Sequence, residues 1–99
     1  MNSDDKKHLS SSGVPPGALF SSFLMGLASA ALIEMGVVED PSTNKKRQDK
    51  SAAAQHIDML CVLREKTRGN LDAHEKELLE RAISDLQIEF AKTFKGVAK

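Results

Sequence analysis

Three histidines and a single cysteine are the side chains here best suited to act as base, nucleophile or transition-metal ligand. A metal held on one helix needs ligands three or four residues apart, so that they share a face. His56 has Met59 and Leu60 at those offsets, and Cys61 lies five residues on, a poor bite for one ion. His74 and Glu77 are spaced i, i+3, but one such pair near a helix start describes polar surface. His8 sits in a polar N-terminal stretch. The Glu-x-x-His pairs of di-iron bundles, the spacing of zinc sites, a glycine-rich phosphate loop and a G-x-S-x-G elbow do not occur. Cys61 falls on the apolar side of a helical pattern, where a thiol is an inert core group. No catalytic, cofactor or metal site is expected, the chain is not expected to be an enzyme, and His56 is expected to be a partly buried structural histidine.

Other polar groups suggest recognition. Glu34 falls within an apolar helical face at the last turn, where it either reaches solvent or pairs with a basic residue of another helix. "REKTRGNL", Arg64 to Leu71, is the densest polar segment. It is a helix-ending turn with surface charge, or a recognition corner in which Lys66, Arg68 and Asn70 meet a protein partner. Formal charge cancels overall, with five acidic against two basic residues in 1–44 and nine against twelve in 45–99. That imbalance is too weak for nucleic acid, which needs a clustered basic face, and there is no Trp or Tyr to stack on bases. Lys45-Lys46-Arg47 is expected to be a solvated loop.

The elements that would carry these groups are helices. Ala, Leu, Glu, Lys and Met dominate, and no segment alternates apolar and polar residues over strand length. The pattern predicts an all-α fold of three helices, at about 18–35, 50–68 and 72–95. Pro15 and Pro16 precede the first and Gly36 stops it. Asp49 or Ser51 caps the second, and Gly69 ends it. Asp72 and Glu75 form a capping box for the third. The short link from Gly69 to Leu71 predicts that helices two and three form an antiparallel hairpin. The serines, glycine and paired prolines of residues 1–16 predict a disordered arm, leaving one small domain over 17–96.

Such a small domain with one cysteine cannot staple itself with a disulfide, so a partner chain is the first expectation. The first helix, "FSSFLMGLASAALIEMG", points the same way. Leu19, Phe20, Phe23, Leu24 and Leu27 make one broad apolar surface, beside a strip of small residues at Ser22, Gly26, Ser29 and Ala30. A helix apolar nearly all round must be covered on most sides, more than two helices of one chain provide. A homodimer through Ser22, Phe23, Gly26, Leu27 and Ala30 is expected. The same strip fits small-xxx-small membrane packing. However, the charge-free run from Ala18 to Ile33 is only sixteen residues, whereas a span needs about twenty. An export signal fares worse, because Asp4 and Asp5 cancel Lys6 and Lys7.

The stretches "SSFLMGLASAALIEMG", "EDP", "AAAQHIDMLCVLREKTRGNL" and "EKELLERAISDL" together resemble the bacterial domain-of-unknown-function family numbered 1844. The most specific run is Ile57-Asp58-x-Leu60, then Glu65-Lys66-Thr67-x-Gly69-Asn70-Leu71 and Glu75. Where the family often has arginine and tyrosine late in helix three, this chain has Gln87 and Phe90. The resemblance implies that helix one belongs to the domain, and it implies no activity. The function expected is that of a small, cytoplasmic, self-associating protein-binding or scaffold module without cofactor. A peripheral membrane adaptor using helix one is the alternative.

Overall fold

The computed structural model describes residues 11–95. His8, most of the expected N-terminal arm and residue 96 lie outside them. Among the described residues there are three helices, α1 (Pro16–Met35), α2 (Lys50–Lys66) and α3 (Ala73–Thr93), each packed against the other two.

α1 starts at a proline in its first turn, where the missing N–H costs no hydrogen bond and φ is already helical. Its end is closed by contacts from two directions. Gly36, at φ 79°, donates its N–H to Ile33 O, and Val37 donates to Leu32 O, the paired bonds of a Schellman motif. The chain then returns after the linker: Asp49 N–H donates to Glu34 O at 2.7 Å, and Gln48 Nε2 donates to Met35 O at 3.2 Å. Carbonyls that a helix end leaves without partners are thus all met, from Leu32 to Met35. Gly36 is required twice over. Its φ is left-handed, and a Cβ there would stand 2.9 Å from the Arg47 carbonyl oxygen.

The linker is ordered around Asp40. One carboxylate oxygen accepts from the Ser42 N–H and hydroxyl, at 2.9 and 2.7 Å, and the other accepts from Arg47 Nε at 3.0 Å. Asp40 N–H also donates to the Lys45 carbonyl at 2.9 Å, across a turn that places Asn44 at φ 59°. Asp49 then serves both neighbouring helices. Its N–H closes α1, while its carboxylate caps α2 by accepting from Ala52 N–H at 3.0 Å.

α2 stops at Lys66, two residues before the expected end. The Thr67 hydroxyl donates to the Leu63 carbonyl at 2.8 Å, and Asn70 N–H closes a turn onto Thr67 O. Gly69, at φ 84°, therefore serves that turn rather than the helix end itself. Asp72 and Glu75 form the expected capping box for α3, both bonds being made. The hairpin is antiparallel: Arg64 near the end of α2 meets Glu80 near the start of α3, and Lys50 at the start of α2 lies over the Phe94 ring.

The core gathers Leu24, Ala31 and Met35 of α1, Ala53, Ile57 and Leu60 of α2, and Leu79, Ile83, Leu86 and Phe94 of the last segment. Each large aliphatic group here contributes about 1.5–3 kcal/mol by leaving water. α1 is the uneven member. Of its twenty residues only Leu24, Ala31, Glu34 and Met35 are buried. The broad apolar surface read from sequence is divided accordingly: Leu24, Phe20 and Leu27 face the core, whereas Leu19 and Phe23 are exposed. Its burial repeats at i, i+7 and i+11, one narrow face, because two neighbouring helices reach only one side.

Candidate functional site

Where α2 turns into α3, the corner encloses a cavity of about 190 Å³ lined by Arg64, Thr67, Arg68, Gly69, Leu71, Lys76, Leu79 and Glu80. The turn that makes it rests on the Thr67 hydroxyl and on Gly69, whose missing side chain leaves open space. Arg64 continues the buried stripe of Ala53, Ile57 and Leu60 by one more turn and is half-buried. Its Nη1 donates to Glu80 Oε1 at 3.2 Å, and its Nε lies 3.7 Å from Glu65. Arg68 Nη2 donates to both oxygens of Glu65 at 2.7 Å. That charged hydrogen bond holds the Glu65 carboxyl below its usual range and pushes the Arg68 guanidinium up.

Of the recognition trio expected from sequence, only Arg68 lines this cavity. Lys66 and Asn70 are exposed but outside it, because α2 ends at Lys66 and the turn carries Asn70 past the rim. Arg64 and Lys76 take their places. Arg64 sits one helical turn before Arg68, a spacing visible in the sequence. Lys76 enters from the first turn of α3, and only the hairpin brings it in.

The outer side of α1 holds the residues expected to mediate self-association, but not all on one surface. Ser22, Phe23 and Gly26 are exposed, Ala30 is half-buried, and Leu27 packs against the core. Leu27 is half-buried at the edge of the core, its helical angle within about 60° of Leu24. Leu19 and Met25, exposed by 40% and 47%, extend the apolar outer surface instead. A Cβ built on Gly26 would meet nothing within 4 Å. α1 is also long and apolar enough to cross a membrane by length and composition, with 22% of its apolar window buried. The helix is longer than the charge-free run of Ala18–Ile33 because it also takes in Pro16, Gly17, Glu34 and Met35.

Glu34 finds its partner within the chain. Its Oε1 lies 2.8 Å from His56 Nδ1, which also faces the Ala52 carbonyl at 3.2 Å. With an acceptor in both directions, Nδ1 carries the proton. Glu34 is buried and His56 half-buried, so the pair pins the end of α1 to α2. Cys61 is half-buried against the core, and His74 is exposed. Among the described residues no three of His, Cys, Asp and Glu converge as metal ligands. Gln87 and Phe90 line a shallow groove with Asp58 and Ile57.

Neither the curated proteins nor the solved structures contain a match to this chain. A family model does match, over residues 17–92. That span takes in the Asp40 linker, the hairpin corner and nearly all of the three helices, and the chain belongs to the family described as a domain of unknown function (DUF1844).

Proposed function

We propose that the protein is a small self-associating helical module that works by binding other proteins rather than by catalysis, two copies meeting through the outer side of α1. The observation that carries this reading is the pairing of exposed Leu19, Phe23 and Met25 with the small residues Ser22 and Gly26 on a helix whose opposite side is core. Large apolar groups standing in water at helical spacing favour a covering surface. Small residues between them let a second helix approach closely, since interaxial distance follows the side chains at the contact. No formal charge lies between Pro16 and Ile33, so two copies of α1 meet without repulsion. Light scattering in detergent-free buffer tests the reading. Twice the chain mass is the expected result, and the mass of one chain would count against it.

A second reading has one observation behind it, the length and apolarity of α1. About 30 Å of helix offers a long apolar side for burial at the bilayer surface. On that reading the protein is a peripheral membrane adaptor. Its mark is co-sedimentation with phosphatidylcholine vesicles, together with solubility that depends on detergent.

A further inference from the structure

We infer that the cavity at the α2–α3 corner is a peptide-anchoring site that takes a carboxylate next to an apolar side chain. The inference rests on the protein-binding part of the proposed function and is independent of self-association.

The lining has two characters. Its floor is apolar, with Leu79 buried, Leu71 half-buried and the bare backbone of Gly69 between the helices. The lining carries three cations, Arg64, Arg68 and Lys76, against Glu80 and the adjoining Glu65 that pairs with both arginines, which leaves one net positive charge. Those cations are not all used up internally. Arg64 is tied to Glu80 and Glu65, but Arg68 uses only Nη2 on Glu65. A guanidinium has five N–H donors, so its Nε and Nη1 hydrogens have no partner among the described residues. Lys76 likewise makes no ion pair among them, and its ammonium is a mobile point charge at the rim.

Size and charge together select the ligand. At about 190 Å³ the cavity is smaller than the roughly 300–1,000 Å³ typical of small-molecule sites, so it suits one anchoring side chain rather than a cofactor. Surplus positive charge favours an anion beside that anchor, and Arg clusters recognise acidic motifs in this way. The apolar floor distinguishes a peptide from a bare inorganic anion, which would gain nothing from Leu71 and Leu79. No step of folding is needed on the receptor side, because the Thr67 hydroxyl and the Asp72–Glu75 box already fix both walls.

The probe is a six-residue peptide, Gly-Leu-Asp-Asp-Leu-Gly, blocked at both ends, compared with its Asn-for-Asp analogue. Amide spectra of the full-length protein are recorded during titration, with chain mass followed by light scattering on the same samples. The acidic peptide is expected to shift amides of residues 64–80, the analogue is not, and R68A/K76A is expected to weaken binding at least about tenfold with unchanged helical circular dichroism. Added salt is expected to weaken binding of the acidic peptide. Equal shifts from both peptides, unchanged affinity in the double variant, or no shift up to about 1 mM peptide would overturn the assignment. A dimer that ignores the peptide rejects the corner alone, and a monomer that binds it rejects self-association alone.

Discussion

The two ends of α1 are made of similar residues and treated oppositely by the fold. Towards Met35 every terminal carbonyl has a partner, Glu34 is paired with His56, and Gly36 admits the returning linker at close contact. Towards Pro16 the helix has no side-chain cap, and Leu19, Phe23 and Met25 stand in solvent. One end is a joint and the other a surface. The contrast teaches that apolarity alone does not assign a residue to the core. What decides is how far the neighbouring helices reach, and in a chain this short they reach one side of α1.

Adjacent residues give the largest expected contrast. Leu24 is 1% exposed and Phe23 is 53% exposed. Leu24→Ala is expected to cost about 3 kcal/mol in urea unfolding, from lost burial and a residual cavity. Phe23→Ala should stay within about 0.5 kcal/mol for the single chain, its effect appearing in mass instead. A large loss from Phe23→Ala in a monomeric sample would break the comparison.

The two glycines of α1 and its end come next. Gly36→Ala meets both a left-handed φ and the Arg47 carbonyl, and a loss of about 1–3 kcal/mol is expected. Gly26→Ala, in open space within a helix, should instead stabilise the chain by roughly 0.5–1 kcal/mol. Thermal melts of the pair read opposite signs, and matching signs would contradict the division of α1 into joint and surface.

Glu34→Ala sharpens the contrast further. Because His56 belongs to the same chain, removing the carboxylate is expected to cost about 1–3 kcal/mol without altering oligomer mass. A change of mass at unchanged stability would place the partner of Glu34 on another copy.

The smallest effect belongs to the linker and is seen in acid. The Asp40 carboxyl is lowered from its ordinary 3.8 to about 2, chiefly by the Ser42 hydroxyl, then by the Ser42 N–H and Arg47. A depressed folded-state value means that the ionised form favours folding. The contribution is present in full above pH 3.8 and is lost as pH falls towards 2. Asp40→Asn should therefore melt below the parent at neutral pH and converge with it near pH 2, whereas a constant gap would show that charge is irrelevant there.

Signals that act within a few residues were legible in the sequence. Asp72 with Glu75, Gly36 after Met35, and the short Gly69–Leu71 link each specify local backbone geometry, and the structure has the capping box, the left-handed stop and the hairpin. The end of α2 falls at Lys66, close to the expected bound, where the Thr67 hydroxyl, an ordinary polar group in sequence, turns onto Leu63. The return of Gln48 and Asp49 onto α1 could not be read, since nothing local distinguishes a linker amide that docks from one that faces water. Glu34 was legible as the odd charge on an apolar face, but sequence left open whether it reaches solvent or pairs, and His56 was not marked as its partner. At the corner, Arg68 was legible as part of a charged run, while Lys76 required the register of two helices. How the apolar face of α1 divides between core and solvent was not legible, because helical angle alone does not say where the neighbouring helices stop.

The central claim is that the Gly26 side of α1 is a surface made for a second copy of the chain. Light scattering on Gly26→Leu, beside the parent protein and with a thermal melt of each, tests it most directly. A Cβ at Gly26 meets nothing within 4 Å in the single chain, so the fold should hold, while the close approach of two helices is blocked. A parent of twice the chain mass and a variant of one chain mass that stays helical and still unfolds cooperatively, melting below the dimeric parent by the lost association, is the expected result. A variant that keeps the parent's mass and stability would contradict the account.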